Sequence, residues 1–311
     1  MKKLMLLCAM LSAMAFVIVA TPAHAANTRS WVSALGSDSN ACTQAAPCLT
    51  FAHAITQTSS GGEIDCLSGG DFGSVTITFS ITIDCGVGQV GVASSNGTAA
   101  ITLNTSSSAV IVLRNLNING FGADGYGILT ASFPSGTLIV EHCLIHGFTG
   151  DVGIYFSPSS GRATLQISDT SIFNNEYGIT IYPSSGVIVS AVFNRVEITT
   201  NSQTGLTMEG SGTIAGTLRQ SLVADNGNGG IYALASAVYF TVEESSIIDN
   251  LETGGIATGS AGANLEVGAS TIGGNGTGIQ ASTGSIYTFG NNQLSANGSN
   301  GSFTPGGPGL Q

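Results

Sequence analysis

The chain has 311 residues, 44 of them glycine, with 42% hydrophobic and only 8% charged positions. Eighteen acids against seven basic residues give a net charge of −11, which leaves no electrostatic route to nucleic acid or to an anionic membrane surface. Hydrophobic and polar positions alternate regularly, so a disordered chain is excluded and a packed, strand-rich core is implied.

Residues 1–25 read as a secretory signal. Lys2 and Lys3 precede the apolar stretch Leu4–Ala20, and Ala23-His24-Ala25 has the small-x-small pattern of a cleavage site. The apolar stretch is too short to serve as a membrane anchor and runs straight into that site. The expectation is an exported protein, secreted or periplasmic, with no membrane span. Cleavage removes both lysines and leaves five arginines against 18 acids, a net charge of −13.

Export permits disulfides. Cys42 and Cys48 are close enough to close a small loop. Cys66 and Cys85 end matching phrases, Ile64-Asp65-Cys66 and Ile83-Asp84-Cys85, so stacking those strands brings their Cβ atoms within bonding reach. Cys143 is then odd and is expected to be a buried small hydrophobe.

Residues 26–60 form an N-terminal segment. Thr50 to Thr58 reads as a short amphipathic helix with Phe51, Ala54, Ile55 and Thr58 on one face, placed to cap the open end of a solenoid core. Residues 61–296 carry the repeat. Strand-like phrases at Ile64-Asp65-Cys66, Val75-Thr76-Ile77, Ile81-Thr82-Ile83 and Ile101-Thr102-Leu103 lead into a regular series of apolar anchors. These are Ile118, Ile145, Ile172, Ile198, Val223, Ile247, Ile272 and Leu294, spaced 22 to 27 residues apart. Three residues after each of the last six stands an asparagine: Asn175, Asn201, Asn226, Asn250, Asn275 and Asn297. Phe121 and Phe148 take that place in the first two. A Gly-Ile or Gly-Leu phrase usually restarts each coil, the glycines being Gly127, Gly153, Gly178, Gly205, Gly230, Gly255 and Gly278.

Each repeat holds three short strand-like stretches, and the period is too short for a propeller blade. The fold expected is all-β: a right-handed parallel β-helix with three strands per coil, roughly ten coils and a short N-terminal capping helix. Five residues before the anchors, Leu113, Val140, Ile167, Phe193, Leu218, Val242, Val267 and Phe289 should form one inward column. The asparagines should stack as a ladder of amides at a tight turn, and the glycines should mark a left-handed or crowded backbone position. Residues 297–311, rich in Gly, Ser and Pro, read as a flexible tail.

The opening phrase Trp31-Val32-Ser33-Ala34-Leu35-Gly36-Ser37-Asp38-Ser39-Asn40, followed by Pro47, Thr50-Phe51-Ala52, Ala54-Ile55 and then Gly61-Gly62-Glu63-Ile64-Asp65, resembles that of exported β-helix proteins of the pectate-lyase-like superfamily. The resemblance implies the architecture across the mature chain. It implies no reaction, because lyases, epimerases, hydrolases and proteins with no known reaction share that opening. The Arg-x-x-Pro-x-x-Arg phrase of pectate lyases is absent. So are the Asn-Thr-Asp, Asp-Asp, Gly-His-Gly and Arg-Ile-Lys motifs of polygalacturonases, and no catalytic residue is carried over.

Register brings candidate sites together. Coils stack at about 4.8 Å, so His142, Asp169 and Arg195 should form a vertical line at one corner, with Glu141 and Glu197 nearby. One reading makes this a glycan subsite: Asp169 or Glu141 as acid or base, His142 as partner, Arg195 pinning a carboxylate or hydroxyl, and Arg114, Arg219 and Glu243 extending the contact. The other is an exposed corner whose opposite charges stack on one another. Tyr155, Tyr177, Tyr182 and Phe173 cluster over two coils, as sugar-stacking rings or as cover for the flank. Asp124, Asp151 and Glu176 precede the coil restarts, as a calcium column or as turn-favouring acids. No cofactor is required, and calcium is the one such a column would take.

Insertions between coils are small, which favours a shallow binding surface over a deep catalytic cleft. Three functions fit: an exported protein that interacts with extracellular or cell-envelope polysaccharide without evident catalysis, a glycoside hydrolase or lyase using the polar corner stripe, and an adhesion solenoid that binds a protein. A monomer is expected.

Overall fold

The computed structural model describes residues 26–86, 90–93, 99–252 and 254–307; the expected signal segment lies outside them. Strands of successive coils pair in parallel and form an 18-stranded sheet and a 10-stranded sheet. The chain is a right-handed parallel β-helix, the hand that parallel crossovers take. One coil shows the plan. Gly136–Glu141 forms a first leg of the larger sheet, the chain bends at His142, and Leu144–His146 forms the second leg. A turn then leads to Val152–Phe156 in the smaller sheet.

The anchors stack as their spacing predicts: Ile118 on Ile145, Ile172, Ile198, Val223, Ile247, Ile272 and Leu294, coil upon coil. The inward column of the first leg runs Ile64, Ile83, Leu113, Val140, Ile167, Phe193, Leu218, Val242 and Val267, and all nine are buried. Each such apolar side chain contributes roughly 1.5–3 kcal/mol by leaving water. The column departs from expectation at its end, where Val267 faces Thr288 rather than Phe289. In that coil Asn291 and Asn292 take the corner, accepting from the Ala269 and Ser270 amides, and the extra residue shifts Phe289 out of register.

The asparagine ladder forms. Asn175, Asn201, Asn226, Asn250 and Asn275 each donate to the amide oxygen of the next at 2.9–3.1 Å. Each also donates to a carbonyl of the preceding coil, as Asn226 does to Ile198. Phe148 occupies the ladder position below and is buried, whereas Phe121, in a left-handed turn, is exposed. The glycine column is crowded, not left-handed: a Cβ on Gly178 would stand 2.4 Å from the Gly205 carbonyl oxygen and 3.1 Å from the ladder amide of Asn201.

A helix spans Phe51–Gln57, with the Thr50 hydroxyl accepting from the His53 amide as N-cap and Phe51, Ala54 and Ile55 buried. The opening phrase has a structural reason. The Asp38 carboxylate accepts from both the Leu49 and Thr50 amides and from the Thr50 hydroxyl, tying that phrase to the helix start. Upstream, Asn27–Val32 joins the larger sheet beside Thr58–Cys66, so the sheet begins before residue 61. Cys42–Cys48 and Cys66–Cys85 are disulfides. Cys143 is a free, buried thiol whose pKa burial pushes up to about 12, so it stays a protonated hydrophobe. Beyond residue 296, Ser299–Gly301 adds a further strand beside Thr277–Ala281, and Thr304 bonds to Ile286 in both directions.

Candidate functional site

The bend between the two legs is built from left-handed residues that are not glycine. Asn115, His142, Asp169, Arg195, Gln220, Glu244 and Ala269 all have φ of 48–55°. That conformation costs an L-residue about 1–2 kcal/mol. A second ladder just behind the bend offsets it: the Ser221, Ser245 and Ser270 hydroxyls accept from the Val196, Ser221 and Ser245 amides at 3.0–3.2 Å.

These residues align His142, Asp169 and Arg195. Arg195 holds Asp169 through two hydrogen bonds of 2.6 and 2.7 Å, and His142 Nε2 lies 4.0 Å from the same carboxylate. Its hydrogen bonds to Arg195 keep the Asp169 carboxyl below its ordinary pKa, hence ionised. Arg114 pairs with Glu141 at 2.6 Å. Arg219 pairs with Glu244 at 2.9 Å rather than with Glu243, and Gln220 reaches the same carboxylate. Glu197 accepts from Ser171. Arg29 closes the row on Asp65 and Glu63 and lies 5.7 Å over the Trp31 ring. Three shallow grooves follow this corner. One of about 280 Å³ lies at Trp31 and Asp84, one of about 410 Å³ at Asn115, His142 and Asp169, and one of about 380 Å³ at Arg195, Gln220 and Glu244.

The smaller sheet presents a different surface. Tyr155, Thr180, Thr207 and Tyr232 are in register on its outer side. Tyr126 and Tyr155 have ring centroids 5.6 Å apart, and Tyr155 and Tyr182 stack at 6.3 Å with planes 24° apart. The aromatic row therefore climbs three consecutive coils. Asp151 accepts from the Val152 amide, and burial holds its carboxyl above the ordinary range. Burial does the same to Glu209, whose field reaches both Tyr155 and Tyr177. Thr207 is buried between Thr180 and Tyr232 in the outer column, and its hydroxyl has no hydrogen-bond partner.

Asp124, Asp151 and Glu176 do not bring three ligand atoms within 4.8 Å of one another. Among the described residues the one such group is Cys42, Cys48 and His53, whose cysteines are in a disulfide. Phe173 lies away from the tyrosine row, stacked at 4.7 Å on His146, which bonds Asn117. Sequence reasoning named Tyr155, Tyr177, Tyr182 and Asp151 but missed Tyr126 and Glu209. A signal existed for the first: Tyr126 precedes Gly127 as Tyr177 precedes Gly178. Glu209 follows its strand as Tyr182 does, each amide donating to the coil before.

Residues 184–308 match the family model described as a right handed beta helix region. Among solved structures, the chain is similar to the A-module of the mannuronan C-5 epimerase AlgE4 of Azotobacter vinelandii. That similarity has 14% identity and a TM-score of 0.40, covering 91% of this chain and 89% of that one. No curated protein matches.

Proposed function

We propose that this is an exported protein that binds a linear polysaccharide on the tyrosine-bearing face of the smaller sheet. The observation that carries this reading is the row Tyr126, Tyr155 and Tyr182, one ring from each of three consecutive coils. Tyrosine offers an apolar face for the C–H side of a sugar ring and a hydroxyl for its polar edge, at low entropic cost. A row that advances one coil at a time suits a ligand that is itself a repeating chain. Two disulfides fit an oxidising compartment. The test is retention on immobilised polysaccharides. Full-length protein should be retained, and Tyr155→Ala, with an unchanged circular dichroism spectrum, should elute earlier; equal retention of the two would remove the tyrosine row from the reading.

The corner groove supports a second reading, glycan turnover by Asp169, Glu141, His142 and Arg195. Arg195 holds Asp169 ionised, which suits it to accept a proton or to stabilise positive charge rather than to donate. Asp169→Ala should then abolish release of reducing ends or unsaturated uronates while the fold persists. Undiminished release would end that assignment.

A further inference from the structure

We infer that the polysaccharide recognised by the tyrosine face is a cationic one, a polymer of amino sugars bearing free amines; this rests on the glycan-binding reading above. The argument begins with where positive charge is absent. The five arginines Arg29, Arg114, Arg162, Arg195 and Arg219 all lie in strands of the larger sheet. Four of them are engaged in ion pairs along the corner. The strands of the smaller sheet carry no lysine, arginine or histidine.

That same face gathers acids. Asp151 and Glu176 stand at the start of adjacent strands, and Glu209 stands at the end of the next. Among the described residues none of the three has a basic partner. Asp151 precedes its strand and Glu209 follows its own, so the two acids stand at opposite ends of the strands that carry the row.

Unpaired carboxylates beside aromatic rings form a site for a cation with apolar surface. The rings attract it through their negative faces, and the acids supply the counter-charge. A polyanionic glycan meets the opposite situation, with like charge along the face and no arginine to relieve it. The buried Thr207 hydroxyl is a separate observation. It lies in the outer column between Thr180 and Tyr232 without a partner. A small hydrogen-bonding group seated on the column would satisfy it, which an apolar ligand would not.

The experiment compares ligands of one backbone. Full-length protein is titrated with fully deacetylated glucosamine oligomers, with the matching N-acetylated oligomers, and with oligouronates, at low and high salt. The deacetylated oligomers should bind at least tenfold more tightly than the acetylated ones at low salt. High salt should narrow that gap, because exposed charges are screened, and oligouronates should not bind. The double variant Asp151→Asn with Glu209→Gln, checked by its melting curve, should bind both glucosamine series alike. Equal or tighter binding of the acetylated or uronate series to the wild type would overturn the cationic assignment and leave glycan binding standing. No binding of any series would overturn both. The wild-type comparison needs no variant, so a misfolded double mutant does not spare the proposal.

Discussion

The corner and the tyrosine face are built on the same stack, with one residue contributed per coil, yet they handle charge in opposite ways. At the corner, acids and bases alternate up the column: Arg114 answers Glu141, Arg195 answers Asp169, and Arg219 answers Glu244. The row is exposed and neutralises itself, so a charged ligand would have to break pairs to use it. On the smaller sheet Asp151 and Glu209 are partly desolvated and unanswered, and both carboxyls are pushed toward the protonated form. Stacking at about 4.8 Å enforces proximity in both places; which side chains occupy the column decides between a closed network and an open one.

The largest expected effect falls on the scaffold that both regions share. Asn226 is fully buried, donates to Ile198 and Asn250, and accepts from the Asn201 amide and side chain. Asn226→Ala strands several of these groups, at about 1–3 kcal/mol each. Chemical denaturation should show a loss of about 3 kcal/mol or more. A loss below 1 kcal/mol would mean that neighbouring coils relax around the gap.

A smaller effect separates the regions. Tyr155→Ala should weaken glycan binding about tenfold, ~1.4 kcal/mol, whereas Arg195→Ala should leave it unchanged. Binding isotherms that reverse this order would move the ligand to the corner groove.

The smallest effects differ in sign. The raised Glu209 carboxyl binds its proton more tightly in the folded state than in the unfolded state. Its ionisation therefore erodes stability as pH rises from the ordinary carboxylate range through the raised value. Glu209→Gln should raise the melting temperature at neutral pH and change nothing in strong acid. Asp169 is the converse. Its lowered carboxyl adds stability above the ordinary range, and that gain is lost as pH falls through the folded value. Because the pair is exposed, Asp169→Asn should cost only about 0–1 kcal/mol at neutral pH. Salt or acid should erase the difference. Melting curves of the two variants that moved together with pH would contradict the contrast between corner and tyrosine face.

Much of this molecule is legible in its sequence because a solenoid repeats its instructions. The anchor series Ile118 to Leu294, the asparagine ladder and the His142, Asp169 and Arg195 alignment follow from spacing alone, since residues at equal phase in successive coils must stack. The phase is lost where one residue is added, as at Phe289. Spacing also says nothing about neighbours in different columns. Tyr126 stands just before one strand of the smaller sheet and Glu209 just after another, at phases different from that of Tyr155.

The stack is therefore written in the sequence: period, inward columns, ladder and the Cys66–Cys85 pairing, each an interaction between copies of one position. How the columns meet around the coil is settled by the folded chain. That depends on the left-handed bends at Asn115 through Ala269, a conformation adopted there by Asn, His, Asp, Arg, Gln, Glu and Ala alike. No residue type announces it, because hydrogen bonds from the neighbouring coils, rather than local preference, hold the backbone in that bend.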